Sequence, residues 1–188
     1  MSQIDVMCVG DLVTDAFIKL FDDQAEVQDT DRGPLLAIPF ATKLPFEYAE
    51  VINAVGNSPN AAVNFASLGL NTALVSNVGS DTAGRDIIAT LEKKKVNTEF
   101  VRINRGKVSN YHYVLWYKDE RTILIKHEDY RYVWPRFTKR DIPKWMYFSS
   151  ISEKALDMHD EIADWLDDNP EIKLAFQPGT FQMKAGAK

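Results

Sequence analysis

"AVGNSPNAAVNFASLGLNTALVSNVGSDTAG", residues 54–84, decides the reading of the chain. Glycine, proline and two asparagines stand there directly ahead of an alanine-rich run, and packing alone does not require them. Residues 58–70, "SPNAAVNFASLGL", predict a helix with Ser58 as candidate N-cap, Pro59 in the first turn and Gly69 as the stop. Residues 72–81, "TALVSNVGSD", predict a buried strand that meets a turn. Residues 81–96, "DTAGRDIIATLEKKKV", predict a second helix, capped by Asp81, with Ile87, Ile88 and Leu91 on its buried face. Lys93, Lys94 and Lys95 fall at that helix's negative end, which accounts for them without a partner. Upstream, "IDVMCVGD", residues 4–11, is a short apolar run that ends in Gly-Asp and predicts a first buried strand. Strand, helix, strand, helix predicts an α/β fold, a parallel sheet covered by helices.

The same pattern resumes near the end of the chain. "KWMYFSS", residues 144–150, predicts a strand, and residues 152–169 a helix with Met158, Ile162, Trp165 and Leu166 on one face. "IKLAFQPGTF", residues 172–181, predicts another strand running into Pro-Gly, with no helix legible after it to cover the sheet. Two β-rich excursions, about 17–54 and about 101–133, interrupt the pattern. The first holds three prolines among apolar residues in "GPLLAIPFATKLPFEYAEV" and suits edge strands. The second, around "NYHYVLWYKDERTILIKHEDYRYVW", alternates large residues on either side of a turn at Asp119 and Glu120, which predicts a hairpin. Together they suggest one small sheet standing off the main body as a lid.

Composition narrows the function classes. The chain has 45% hydrophobic and 26% charged residues, as a folded soluble protein does, and 188 residues suit one domain. A net charge of −5 lacks the basic excess of a nucleic-acid binder. One cysteine excludes an intrachain disulfide framework, and three scattered histidines give no metal-ligand spacing. Asp5 stands where a signal peptide would carry positive charge, and no apolar run approaches the ~18 residues of a membrane span, so a cytoplasmic setting is expected. Cys8, in an apolar strand, is expected to be a buried, inert thiol. No dinucleotide-binding glycine motif, P-loop or nucleophile elbow occurs.

In an open α/β sheet, ligands gather at the carboxyl ends of strands. "GDLVTD" places Asp11 and Asp15 beyond the first strand, and "VGNSPN" places Gly56, Asn57, Ser58 and Asn60 at a helix N-terminus, where backbone N–H groups point outward. A carboxylate can accept two adjacent hydroxyl groups, an asparagine can donate and accept, and glycine admits close backbone approach. These are the parts of a polyol site. The same residues would equally serve as local caps and turns. Tyr111 and Tyr113, two apart on a strand, share a face that could look into the cleft.

The order of these parts resembles the ribokinase family, the PfkB-type carbohydrate and nucleoside kinases. "VGDLVTD" resembles the family's opening strand and substrate-holding aspartate, "VGNSPNAAVNFASLG" its Gly-Gly-x-x-x-Asn motif and helix, and "NVGSDTAG" its Gly-x-Asp-x-x-Gly element. Val55 departs from the pattern, standing where the family usually has the first glycine. The resemblance spans residues 1–188 as the N-terminal portion of one ribokinase-like domain, with the C-terminal part of that fold missing. It implies ATP-dependent phosphorylation of a sugar or nucleoside hydroxyl, with Asp15 and Asn60 holding substrate hydroxyls, Gly56 in backbone contact and Asn57 alongside. ATP and Mg2+ are implied as cofactors, though no residue here is assignable to either. A homodimer through the lid is a further implication. The family's Gly-Ala-Gly-Asp string, with its catalytic aspartate, does not occur, so no catalytic residue is expected before Lys188 and the chain alone is expected to be inactive. A non-catalytic polyol-binding module and an inactive truncated product are the alternatives.

Overall fold

The computed structural model describes residues 3–186. The ends of the 1–188 domain reading, residues 1, 2, 187 and 188, lie outside the described residues. In chain order the elements are β1 (Val6–Val9), β2 (Val13–Leu20), β3 (Glu26–Thr30), β4 (Gly33–Ala37), β5 (Phe46–Val55), α1 (Asn57–Ser67), β6 (Thr72–Gly79), α2 (Thr82–Lys93), β7 (Val101–Asn104), β8 (Tyr111–Tyr117), β9 (Glu120–Leu124), β10 (Trp145–Phe148), a 3-10 turn (Glu153–Ala155), α3 (Leu156–Asp167), β11 (Lys173–Phe176) and α4 (Thr180–Ala185). They form two compact units. One comprises Met1–Val13, Asn53–Asn110 and His127–Lys188, and the other Thr14–Ile52 and Tyr111–Lys126.

The first unit is a five-stranded parallel sheet in the order β11-β10-β1-β6-β7, flanked by helices, as the strand and helix alternation predicts. Period-two alternation divides the side chains of β1 between two cores. Met7 and Val9 join Val75, Met146, Met158 and Ile162 on the α3 face, while Val6 and Cys8 join Ala62, Leu74, Ile87 and Leu91 on the face covered by α1 and α2. Cys8 is fully buried, and desolvation pushes its thiol up to about 12. α2 begins as expected at Asp81, whose side chain accepts from the Gly84 amide.

Three local expectations are corrected. Ser58 is not the N-cap of α1: the cap lies two residues earlier, at Gly56 with φ 125°, and Ser58 lies inside the first turn, buried. A short helix, α4, does follow β11, with Gln182 folding back so that its side-chain oxygen accepts from the Gly179 amide. The β8–β9 turn centres on Lys118 and Asp119, one residue ahead of the expected position, with Lys118 at φ 50° and Tyr117 paired to Glu120.

The second unit is β-rich. Its four-stranded sheet has the order β5-β2-β8-β9, with β2 and β8 parallel and β8 and β9 antiparallel. A separate β3–β4 hairpin turns through Asp31 and Arg32 to Gly33, which takes the positive φ of 98°. β3 and β9 are exposed along their whole length, and β5 over its first seven residues.

Candidate functional site

Within the first unit the chain runs from β1 to β6 and β7 on one side, then returns to β10 and β11 on the other. The chain therefore leaves β1 and β10 in opposite directions, the arrangement at whose strand carboxyl ends open α/β sheets bind ligands. The first turn of α1 is seated there. Ser58 Oγ donates to the Val9 carbonyl at 2.5 Å and lies 2.8 Å from Ser149 Oγ, which ties the helix to the ends of β1 and β10 together. Two glycines make that approach fit. A Cβ on Gly10 would come within 2.6 Å of Ser58 Oγ, and one on Gly56 within 2.7 Å of the Asp11 carbonyl.

Gly56, Asn57 and Asn60 are thus brought together at one helix N-terminus. No side chain caps it and no acidic residue lies in its first turn, so its outward backbone amides meet no carboxylate of their own helix. The side chains of Asn57 and Asn60 are exposed and form no hydrogen bond among the described residues. The Asn60 amide closes the first turn onto the Gly56 carbonyl, leaving its side chain uncommitted.

Asp11 lies beside this turn, its carboxylate already engaged. Oδ1 accepts from the Tyr132 hydroxyl at 2.8 Å, and Oδ2 is 3.5 Å from His127 Nδ1. Burial, and then the Asp11 charge, hold the Tyr132 phenol well above its ordinary value, so it stays a donor.

Asp15 belongs to the second unit, on β2. Its register partner on β8 is His112, and Asp15 Oδ1 lies 3.2 Å from His112 Nδ1 as a close contact rather than an aligned hydrogen bond. Tyr111 and Tyr113 pack together, ring centroids 5.2 Å apart, but β8 alternates, so they occupy the face opposite His112 and hence opposite Asp15. Sequence spacing pairs the two tyrosines correctly and gives no sign of which face Asp15 takes. His112 was the contributor it did not reveal, because it is defined by a partner distant in sequence.

The Gly-x-Asp-x-x-Gly element of residues 79–84 is internally committed. Asp81 Oδ1 accepts from the Gly84 amide at 3.0 Å and Ser109 Oγ at 2.7 Å, while Oδ2 accepts from the Ser109 amide at 3.0 Å. A Cβ on Gly84 would lie 2.2 Å from the Gly79 carbonyl oxygen. Among the described residues, no group of three or more His, Cys, Asp or Glu side chains could hold a metal ion. No helix among the described residues is long and apolar enough to cross a membrane.

A profile described as pfkB family carbohydrate kinase matches residues 50–136. Over 93 residues the chain is 32% identical to the bifunctional protein HldE of Rhodopseudomonas palustris (strain BisA53), which covers 50% of this chain and 16% of that protein. Among solved structures it is similar to Halothermothrix orenii fructokinase, with TM-score 0.66, 20% identity, 92% of this chain and 56% of that one covered. It is also similar to Arabidopsis thaliana ribokinase complexed with ribose and ATP, with TM-score 0.65, 16% identity, 94% of this chain and 53% of that one covered. The ribokinase of Cryptococcus neoformans var. grubii serotype A in complex with ADP gives TM-score 0.64, 17% identity, 94% and 50%. The chain therefore spans about half the length of the solved structures it matches and a smaller share of the curated relative.

Proposed function

From a chain with the fold of the PfkB and ribokinase carbohydrate and nucleoside kinases, we propose the acceptor-binding part of an ATP-dependent phosphotransferase acting on a sugar or nucleoside hydroxyl. The observation that carries this reading is the uncapped N-terminus of α1 at the carboxyl ends of β1 and β10, with the side chains of Asn57 and Asn60 uncommitted there. Such a terminus offers backbone N–H donors to hydroxyl oxygens, and the Asn60 amide can donate to one hydroxyl and accept from its neighbour. Asp15, argued from its own unit, is a second acceptor contact, and its unit serves as the lid of the same reaction. The similarity to fructokinase and ribokinase structures supports the substrate class.

ATP supplies the phosphoryl group in this reading, with Mg2+ neutralising its charge. What this chain contributes is positioning, the larger part of catalysis in phosphoryl transfer. Its α1 terminus holds the acceptor, and Ser58 and Gly10 keep that terminus seated on the sheet.

The test is a titration of the chain with ribose, fructose and adenosine, followed residue by residue by heteronuclear NMR. Saturable shifts at the Gly56 amide and the Asn60 side chain, weakened about tenfold by Asn60→Ala, are expected. A saturating series that leaves α1 unmoved would remove the acceptor site. Adding ATP and Mg2+ to the same sample separates binding from turnover: binding without phosphate transfer would favour a polyol-binding module.

A further inference from the structure

A cavity of the first unit lies on the opposite face of its sheet from α1. About 470 Å3 in volume, it opens between the β6–β7 edge, the segment around Trp134 and α3. Val75, Ile151 and Met158, all members of the core on the α3 face, form its floor. Phe100 and Trp134 supply aromatic walls.

The polar lining is unbalanced. Asn77 and Arg102 are register partners across β6 and β7, so their side chains stand next to each other on one face. Asn77 is 6% exposed, and its side-chain oxygen accepts from Asn104 Nδ2 at 3.1 Å. Its own amide nitrogen donates to no acceptor among the described residues and is accessible, so it is open to a ligand in the cavity. Arg102 and Arg136 also line the cavity, and neither has a carboxylate within ion-pair distance among the described residues. Glu99 is the one carboxylate in the lining, and it is paired with neither arginine. Two guanidinium groups without a carboxylate partner thus share the cavity with the Trp134 indole N–H, a buried donor that has no acceptor among the described residues.

We infer that this cavity is a binding site, separate from the acceptor site, for a small organic anion. Its carboxylate or phosphate oxygens would accept from Arg102, Arg136 and the Asn77 amide, and its planar apolar body would lie against Phe100 and Trp134. Guanidinium groups match such oxygens in paired, planar geometry, and an aromatic wall favours a flat body over a bare ion. The site neither requires the acceptor reading nor shares a residue with it.

Phenyl phosphate and inorganic phosphate are the probes, followed by NMR on the whole chain. Phenyl phosphate should shift the Asn77 side-chain amide and the buried Trp134 indole N–H, with Asn60 unmoved. Arg102→Ala and Arg136→Ala should each weaken it about tenfold, and Arg102→Lys should weaken it less. Both arginines are exposed, so the folded spectrum should persist in these variants. Equal affinity for inorganic phosphate would overturn the aromatic half of the proposal. No shift at Asn77, or binding indifferent to both arginine replacements, would overturn the site, whatever the sugars do at α1.

Discussion

Asp15 and His112 face each other across the β2–β8 pair, the carboxylate Oδ1 3.2 Å from the imidazole Nδ1. The contact gives a mostly covered carboxylate one fixed neighbour. If Asp15 holds an acceptor hydroxyl, Asp15→Ala should raise the acceptor Kd about tenfold or more, the worth of a charged hydrogen bond. His112→Ala, which removes only the neighbour, should raise it less. Calorimetric titration with the best-binding sugar checks both, and an unchanged Kd in Asp15→Ala would take Asp15 out of the site. Tyr113→Ala, on the other face, should leave this Kd unmoved.

The seat of α1 makes a stability prediction. Ser58 is buried, and its hydroxyl satisfies the Val9 carbonyl at the end of β1. Ser58→Ala should cost about 1 kcal/mol in denaturant unfolding, because the buried Val9 carbonyl loses one of its two donors and keeps the Ser149 amide. Gly10→Ala should be at least comparable, since the new methyl group meets Ser58 Oγ and the Ser150 carbonyl within 3 Å.

Asp81 ties its stabilising role to pH. Burial opposes its ionisation, but the hydroxyl and amide of Ser109 and the amide of Gly84 outweigh it and hold the carboxyl below its ordinary value of 3.8. A depressed carboxyl stabilises the fold fully above the unfolded value and loses that contribution as pH falls through the folded one. Unfolding midpoints of the wild type and Asp81→Asn should therefore differ most above pH 4 and converge in more acidic solution. A constant difference would show that Asp81 acts by shape alone.

Cys8 is expected to be silent toward thiol reagents. Its raised thiol is neutral at physiological pH and out of reach of solvent. Because the folded value exceeds the unfolded one, the neutral thiol's contribution is complete below about pH 9 and lost as pH rises toward 12. Ellman's reagent should modify the native chain only at its rate of opening, and promptly in urea. Prompt reaction of the folded chain would contradict the packing of β1.

The sheet was legible because its signals are local: apolar runs ending in Gly-Asp or Gly-Ser-Asp, and helices with a clear 3.6 period, as at Ile87 and Leu91. β2 was not read as a strand. "VTDAFIKL" has no clean alternation, and it becomes a strand through pairing with β8, far along the chain. Ser58 looked like a cap because serine often is one; the Val9 carbonyl, which no local pattern reveals, claims its hydroxyl instead. α4 is six residues long, too short to show a period. In the candidate site, the grouping of Gly56, Asn57 and Asn60 at a helix start follows from adjacency alone. The faces taken by Asp15 and the two tyrosines depend on register, which composition does not encode.

The smaller sheet is woven from two insertions. Thr14 on β2 pairs with Tyr111 on β8, and almost the whole first α/β half lies between them in the chain. Asn110, at the threshold of the second insertion, donates to the Leu12 carbonyl and accepts from the Glu128 amide, so the entry to one insertion and both ends of the other are knotted at a single side chain. Neither insertion holds the whole sheet. During synthesis the β2–β8 half of this sheet must wait for β8 to emerge, and the ordering of the larger unit shortens that search by bringing the thresholds together. The small sheet is therefore a late event in the chain's biogenesis, and damage at Asn110 should register first as slow or failed maturation of residues that Asn110 does not touch.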